Sequence, residues 1–240
     1  MKTLVANWKM NFTLHEEIEW CVKNLPELAQ LPNKLILCPS ALALVPLANL
    51  LRTLPETSLV SLGAQTCSSS LVGAHTGQLS ALSLKQAGCS YVIVGHSEER
   101  SAYRLSNDYV ANQTECALAA GLTPIICIGE SEQEHDSLQT YEVIKNQLAP
   151  VLKMVNPESS FCVAYEPVWA IGSGNRPTIQ ELAIIFKLIK SLVGENQLFY
   201  GGSVDENYAR ECDNVPYLNG FLLGKKSLNF QELKKIVSLS

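Results

Sequence analysis

Short apolar runs recur along the whole chain, separated by longer segments with a different periodicity. The runs are rich in aliphatic and β-branched side chains and show no regular alternation with polar positions. Continuous apolarity of this kind is typical of strands that are buried on both faces of a parallel sheet. The predicted strands cover residues 4–6, 35–38, 59–64, 91–94, 124–128, 161–165, 198–200 and 221–223.

The segments between these runs have the periodicity of amphipathic helices. Thr13 and Glu16 form a capping-box signature before a segment whose apolar residues share one helical face. Thr178 and Glu181 repeat that signature before a second such segment. Further helices are predicted over residues 41–51, 82–88, 107–120, 138–154, 206–212 and 230–239, of which 206–212 is short and poorly determined.

Strands and helices therefore alternate about eight times, with no linker, repeat or low-complexity segment between them. This order favours an α/β fold in which a (β/α)8 barrel forms a single domain over residues 1–240. An open doubly wound sheet has the same periodicity. The hydrophobic pattern alone leaves these two architectures open.

Composition narrows the class of protein further. Hydrophobic residues make up 47% of the chain, which suits a well-filled core, and the formal net charge of −5 disfavours a nucleic-acid partner. No apolar run reaches the roughly 18 residues of a membrane span, and the N-terminus turns polar at Asn7 without the apolar region of a signal peptide. We therefore expect a cytoplasmic protein with no membrane partner.

Cysteine and histidine spacing argues against disulfides and metals. The eight cysteines are scattered without a C-x-x-C motif, and several lie inside apolar runs, where cysteine behaves as a small hydrophobic residue. The four histidines do not join them at metal-ligand spacing. Reduced cysteines and no metal site are expected.

Several polar residues that could take part in catalysis or binding directly follow predicted strands. In parallel α/β proteins, active sites form at this edge of the sheet. These residues are Lys9, His96, Glu166, the turn from Gly201 to Ser203, and Gly224. Taken singly, each has an ordinary explanation as a solvated lysine, a hydrogen-bonded histidine, a capping glutamate or a common turn. Their joint position on one edge favours an active site.

Four segments at these strand ends resemble the signature segments of the triosephosphate isomerase family. They are Asn7-Trp8-Lys9-Met10-Asn11, Val94-Gly95-His96-Ser97-Glu98, the eleven residues 164–174 beginning Ala-Tyr-Glu-Pro, and Tyr200-Gly201-Gly202-Ser203-Val204. They occur in the family's order and span essentially the whole chain. The resemblance implies a TIM barrel that interconverts glyceraldehyde 3-phosphate and dihydroxyacetone phosphate through an enediol(ate), in glycolysis and gluconeogenesis, without a cofactor.

The resemblance also implies a role for each matching residue. Glu166 is expected to be the base, with its basicity raised by desolvation, and neutral His96 to donate to the substrate oxygens, which is the family's known division of roles. Lys9 is expected to supply a fixed positive charge, oriented by Asn7 and paired with Glu98. Substrate binding falls to Asn7, Lys9, Gly172, Ser203, Gly224 and Lys225.

Residues 167–177 resemble the family's mobile lid, which closes over the substrate and excludes water. Tyr200 and Ser203 are expected to hydrogen-bond the closed lid. After the last strand, Lys225 stands where the family usually has a second glycine. If that position needs a positive φ, a lysine there costs roughly 1 kcal/mol or more, although its amide can still donate to a phosphate.

A homodimer is also implied, and its contact departs from the family pattern. By resemblance, the loop carrying Thr76 inserts into the partner subunit beside the active site. Gln78 and Glu99 stand where the family commonly has Glu and Arg, which are expected to pair between subunits. We expect a hydrogen bond from Gln78 to Glu99 in place of that ion pair.

Alternative functions fit the sequence less well. A Schiff-base aldolase needs a lysine at a mid-barrel strand end, where this chain has Glu166, and a metal-dependent epimerase needs clustered His and Asp ligands. A non-catalytic or divergent phosphate-binding barrel is the remaining alternative. The presence of Lys9 and His96 together with Glu166 argues against it.

Overall fold

Eight parallel strands close into a barrel in the computed structural model of the chain, which describes residues 1–55 and 58–239. Each strand pairs with its neighbours in sequence, and β1 pairs with β8 to complete the ring. The strands are β1 Thr3–Asn7, β2 Lys34–Cys38, β3 Val60–Ala64, β4 Tyr91–Val94, β5 Thr123–Ile128, β6 Cys162–Tyr165, β7 Gln197–Gly201 and β8 Leu218–Leu223. Closure confirms the predicted (β/α)8 barrel and excludes the open sheet.

Helices follow the strands and form the outer layer. Within the described residues they are α1 Leu14–Leu28, α2 Leu44–Leu51, α3 Ala81–Gln86, α4 Ser97–Tyr103, α5 Asn107–Ala119, α6 Glu132–Asp136, α7 Thr140–Met154, α8 Ile179–Val193, α9 Glu206–Glu211 and α10 Phe230–Val237. The sequence pattern missed α4 and α6. It also began α7 too early, because Leu138 has a φ of 58°, in the left-handed region that ends a helix.

Two apolar cores account for the continuous apolarity of the strands. In β1, Val5 points into the barrel, whereas Leu4 and Ala6 pack under the surrounding helices. In β5, Ile125 belongs to the inner core and Ile126 to the outer one. Since successive side chains of a strand face opposite sides, each strand must be apolar on both.

Helix capping fixes where the loops around the barrel mouth end. The predicted boxes at Thr13 and Thr178 are both present, with each threonine bound reciprocally to the glutamate three residues on. Ser131 and Glu134 form a third box at the start of α6. The box at Thr178 gives α8 a defined first residue directly after the segment that resembles a lid.

The eight cysteines are all buried and free. Burial raises the pKa of Cys67 and Cys162 to about 12, so both stay as unreactive thiols at neutral pH. Across residues 1–55 and 58–239, no helix combines the length and apolarity that crossing a bilayer requires.

Candidate active site

A cavity of about 430 Å³ opens at the carboxyl ends of the strands. Its lining includes all the residues that the sequence predicted for catalysis and substrate binding: Asn7, Lys9, His96, Glu166, Gly172, Ser203, Gly224 and Lys225. They come from the ends of five strands and from the segment after β6. The barrel therefore brings together side chains that lie up to 218 positions apart in the sequence (Asn7 and Lys225).

Glu166 directly follows β6 and is almost completely buried, at 4% exposure. Its amide donates to the Ile128 carbonyl of the neighbouring strand, 2.7 Å away. Gly129 packs so closely against the backbone of Glu166 that an added Cβ would lie 2.0 Å from the Glu166 carbonyl oxygen. These contacts fix the backbone of the carboxylate, so its direction into the cavity is set before a ligand arrives.

The two carboxylate oxygens of Glu166 have different surroundings. Oε1 lies 3.3 Å from Nε2 of His96, whereas Oε2 is buried without a hydrogen-bond partner among the described residues. A buried acceptor without a partner is costly and is concentrated at functional sites. Oε2 therefore keeps an unused capacity to accept a proton or a hydrogen bond.

His96 precedes α4 and acts as its N-cap. Its Nδ1 accepts the backbone N–H of Glu98 at 3.3 Å, at the positive end of the helix. An imidazole nitrogen that accepts a hydrogen bond carries no proton, so in the neutral ring the hydrogen is on Nε2. That hydrogen points to the side of the ring where Glu166 lies.

The charges of this pair act against the effect of burial. Burial raises the pKa of Glu166, but the facing His96 and the nearby Lys9 bring it below its ordinary value. Burial lowers the pKa of His96, and the Glu166 carboxylate raises it above its ordinary value. Desolvation raises the pKa of Glu166, as expected, but the attraction of His96 and Lys9 outweighs it in this structure.

Lys9 adopts a backbone conformation that is uncommon for a side-chain-bearing residue, with a φ of 53°. Two amide side chains hold it there: Asn7 Oδ1 accepts the Lys9 N–H at 3.1 Å, and Gln65 Nε2 donates to the Lys9 carbonyl at 2.8 Å. The ammonium group lies 2.7 Å from Glu98 Oε1, which confirms the predicted ion pair. The sequence analysis assigned no role to Gln65.

Part of the cavity lining is glycine-rich and basic, and its Gly224 lies beside the Lys9 side chain. Ser203 and Gly224 lie after β7 and β8, and Gly172 comes from the lid-like segment with a φ of 71°. Lys225 begins a 3-10 turn, Lys225–Ser227, and is not among the described residues with positive φ, so the condition for backbone strain is not met there. Arg176 and Lys226 also line the cavity, and the sequence analysis did not single them out.

Sequence comparisons agree with this geometry. A family model described as triosephosphate isomerase matches residues 2–240. The triosephosphate isomerase of Wolbachia sp. subsp. Brugia malayi is 36% identical over 98% of this chain and 95% of that protein. That of a Bradyrhizobium species is 38% identical over 94% and 92% of the two chains, and that of Aquifex aeolicus 33% identical over 98% of each. The chain belongs to the triosephosphate isomerase family.

Residues 167–177, which resemble the family's lid, contribute Ile171, Gly172, Gly174 and Arg176 to the cavity lining. The Ser203 hydroxyl donates to the Ala170 carbonyl at 2.8 Å and accepts the Gly174 N–H at 3.3 Å. These contacts confirm the predicted bond from Ser203 to the lid. The Tyr200 hydroxyl is buried and has no hydrogen-bond partner among the described residues, so its bond to the closed lid stays a prediction.

A wholly buried carboxylate, Glu130, anchors the start of the lid. It accepts hydrogen bonds from the Tyr165 hydroxyl at 3.0 Å and from Trp169 Nε1 at 2.9 Å. His135 stacks on the Trp169 ring with a centroid separation of 4.5 Å, and its Nδ1 lies 3.5 Å from Glu130. The first half of the lid is therefore fixed to the loop that follows β5.

Gln78 and Glu99, the two departures from the family pattern, line a second cavity of about 650 Å³ together with Thr76. Within the chain, Gln78 Oε1 accepts from the Ser68 hydroxyl at 2.6 Å, and Glu99 Oε2 accepts from the Thr66 hydroxyl at 2.7 Å. Each side chain thus has a partner in its own subunit. Their pairing across a subunit contact stays a prediction.

Proposed function

We propose that this chain interconverts glyceraldehyde 3-phosphate and dihydroxyacetone phosphate, with Glu166 as the base, His96 as the hydrogen-bond donor and Lys9 as the fixed cation. One observation supports these roles above the others. Glu166, whose Oε2 has no hydrogen-bond partner among the described residues, lines the same cavity as His96 and Lys9, so a carbonyl compound there meets a base and two donors.

The reaction needs a proton to leave the carbon beside a carbonyl and return to its neighbour. Glu166 takes that proton, and the electrons of the broken C–H bond move to the carbonyl oxygen to give an enediolate. His96 Nε2–H and the Lys9 ammonium stabilise the negative oxygen as it forms. The hydroxyl proton on the neighbouring carbon moves to the enediolate oxygen, and Glu166 delivers its proton to the carbon that bears this oxygen. The former hydroxyl becomes the new carbonyl, the carboxylate ends as it began, and no external oxidant or reductant is needed.

Substrate binding depends on positive charge in the cavity lining. The chain carries a formal net charge of −5, yet Arg176, Lys225 and Lys226 line the cavity. A phosphate dianion is attracted there and is bound by backbone N–H groups at Gly172, Ser203 and Gly224 and by that of Lys225. Glycine allows such close approach at Gly172, where φ is 71°. Asn7 orients Lys9 toward the substrate oxygens.

The lid completes the site by keeping water from the enediolate. Ser203 hydrogen-bonds the lid on one side and Glu130 holds it on the other. Exclusion of water strengthens the interaction of the developing charge with His96 and Lys9, because the local dielectric falls.

The chain is further proposed to act as a cytoplasmic homodimer, without a cofactor, in glycolysis and gluconeogenesis. Large apolar side chains are exposed on the loops and helices that follow β1, β2 and β3, which are neighbours in the barrel. They are Met10 at 96% exposure, Leu42 at 75%, Val45 at 55%, Val72 at 77% and Leu82 at 39%. Exposed apolar surface of this kind is typical of a subunit contact.

The assignment is tested by a coupled assay of the purified chain with glyceraldehyde 3-phosphate, repeated with a metal chelator present. Isomerisation that persists with the chelator supports an isomerase without a metal cofactor. If the chain binds a triose phosphate but does not convert it, the alternative of a non-catalytic phosphate-binding barrel replaces the proposal.

A further inference from the structure

Gly129 packs against the backbone of Glu166, and it fits there only because it has no side chain. A Cβ added at Gly129 would lie 2.0 Å from the Glu166 carbonyl oxygen, so a larger residue would force Glu166 to move. Glycine also has more backbone freedom than any other residue. The support of Glu166 therefore depends on a residue whose own conformation needs an external restraint.

The two neighbours of Gly129 bind the same segment. The Ile128 carbonyl accepts the Glu166 N–H at 2.7 Å, and the Glu130 carbonyl accepts the Val168 N–H at 2.9 Å. Three consecutive residues at the end of β5 thus support the backbone that begins at Glu166. A shift of the Gly129 peptide would be passed on to Glu166, whose direction matters for proton transfer.

Gln147 of α7 supplies the restraint on Gly129. Its Oε1 accepts the Gly129 N–H at 2.8 Å, and its Nε2 donates to the Gly129 carbonyl at 3.0 Å. One amide side chain therefore satisfies both backbone groups of one residue, as a neighbouring strand would. Two bonds to the same residue fix the orientation of its backbone as well as its position.

The place of Gln147 on α7 makes it a rigid support. The buried face of this helix consists of Ile144, Leu148 and Val151, and Gln147 lies on the same side, three residues after Ile144. A polar side chain on the core-facing side of a helix needs polar partners, and Gly129 provides them. Since α7 packs through this face, the amide is held by a regular element and not by a loop.

A cavity of about 340 Å³ gives this region room to move. Its lining includes Gly129, Gln147, Glu166 and Val168. Water that enters the cavity can bind the Gly129 N–H and carbonyl, so their hydrogen bonds are replaceable when the amide is removed. Mobile water does not fix the peptide as a side chain does. Loss of the amide should therefore affect the placement of Glu166 more than the free energy of unfolding.

His96, which faces Glu166, is held by different contacts. It is the N-cap of α4, and the Arg100 guanidinium donates through Nε to the carbonyl of the preceding Gly95 at 2.7 Å. Gln147 takes no part in these bonds. A change at Gln147 should therefore move Glu166 relative to an imidazole that stays in place.

We propose that Gln147 is a positioning residue for proton transfer: its amide holds Gly129 so that Glu166 keeps its direction into the substrate cavity. The proposal rests on the proposed function, because it concerns the proton that Glu166 carries. Gln147 is not among the residues that line the substrate cavity. It acts through Gly129 on the placement of the base and leaves substrate binding to other residues.

The test compares two changes of Gln147 with a matched change of its neighbour. Gln147→Met keeps the length of the side chain and removes both bonds to Gly129. Gln147→Glu keeps the shape and the acceptor, but sets an oxygen in place of the donor against the Gly129 carbonyl. Asn146→Met removes an amide from the adjacent, exposed residue of α7 and is the control.

For each protein, kcat and KM are measured, together with the primary isotope effect of glyceraldehyde 3-phosphate deuterated at the carbon that loses its proton. We expect kcat to fall about ten- to hundredfold in both Gln147 variants while KM stays within about threefold, since misplacement of the base affects the chemical step more than binding. The isotope effect should rise, because proton transfer becomes slow relative to binding and release. Asn146→Met should match the unaltered chain in all three quantities.

The isotope effect is independent of how much of a preparation is folded, because it compares two substrates on the same active molecules. A kcat within about threefold of the unaltered chain in either Gln147 variant would overturn the proposal. An unchanged isotope effect, a loss that appears in KM instead of kcat, or an equal loss in Asn146→Met would also overturn it. If the unaltered chain shows no isomerisation, the proposed function fails and the role of Gln147 fails with it. Isomerisation by the unaltered chain and by unimpaired Gln147 variants rejects the role of Gln147 alone.

Discussion

Nε2 of His96 lies 3.3 Å from Oε1 of Glu166, and both side chains are buried at the mouth of the barrel. Burial lowers the pKa of His96 and the Glu166 carboxylate raises it, while burial raises the pKa of Glu166 and His96 lowers it. The two groups therefore titrate as a pair. A substrate that neutralises one of them changes the other.

Removal of the carboxylate charge should shift the titration of the imidazole. In Glu166→Gln, burial still lowers the pKa of His96 but the raising effect of Glu166 is gone, so the His96 pKa should fall relative to the unaltered chain. Nuclear magnetic resonance of the imidazole nitrogens across pH measures this shift. Glu19→Gln, on the exposed side of α1, is the matched control and should leave the titration unchanged. A His96 pKa that rises in Glu166→Gln would contradict the coupling.

Gln65 should matter for both stability and activity. Its amide donates to the carbonyl of Lys9, whose φ of 53° costs roughly 1–2 kcal/mol to maintain. Gln65→Leu removes that donor, so the free energy of unfolding should fall by about 1–3 kcal/mol and kcat/KM by about tenfold. Chemical denaturation and steady-state kinetics give the two values. Gln133→Leu, on the exposed side of α6, is the control and should change neither the free energy of unfolding nor kcat/KM. An unchanged kcat/KM in Gln65→Leu would show that Gln65 does not support the active site.

Lys225 should contribute through its backbone more than through its side chain. The residue lies in a 3-10 turn and its side chain is exposed, so glycine relieves no strain there and adds flexibility to the unfolded chain. We expect Lys225→Gly to lower the free energy of unfolding by about 0.4–1 kcal/mol and to leave KM for the triose phosphate within about threefold. Lys225→Ala controls for the loss of charge. A large rise in KM for both variants would show that the ammonium group binds the phosphate directly.

The dimer contact should tolerate salt. A partly buried ion pair adds little net stability over a satisfied polar substitute, so replacement by Gln78 and Glu99 should leave the dimer intact and less sensitive to ionic strength. Sedimentation at micromolar concentration tests this. Val72→Asp places a charge on the exposed apolar surface and should give monomers, whereas Val22→Asp on α1 should not. An active monomer in the unaltered chain, or dissociation by moderate salt, would contradict the account.

The strands and most helices were predictable because their hydrophobic patterns have clear physical causes. The helices α4 and α6 were missed because neither buries a side chain in the chain's core, so no apolar period reveals them. Only α6 has a clear start signal, since Ser131 and Glu134 form a capping box before it. The N-cap of α4 is His96 itself, a residue that rarely marks a helix start.

The composition of the site was predictable from the residues that follow the strands, but its contacts were not. The ion pair of Lys9 with Glu98 followed from resemblance and is present at 2.7 Å. The hydrogen bond from the Tyr208 hydroxyl to the Pro177 carbonyl joins residues 31 positions apart. Neither the hydrophobic periodicity nor the composition of α9 predicts it. Such contacts depend on the packing of a short helix against a loop, which the local pattern does not encode.

Glu166→Gln tests most directly whether Glu166 carries the proton between the two carbons of the substrate. The variant keeps the shape of the side chain and removes its basicity, so kcat should fall by several orders of magnitude while KM changes much less. His96 and Lys9 remain to bind the substrate oxygens, which is why affinity should survive. The measurement is the steady-state rate of glyceraldehyde 3-phosphate isomerisation in a coupled assay, with folding checked by circular dichroism. We expect a folded, substrate-binding and nearly inactive protein. A kcat within tenfold of the unaltered chain would contradict the role of Glu166 as the base.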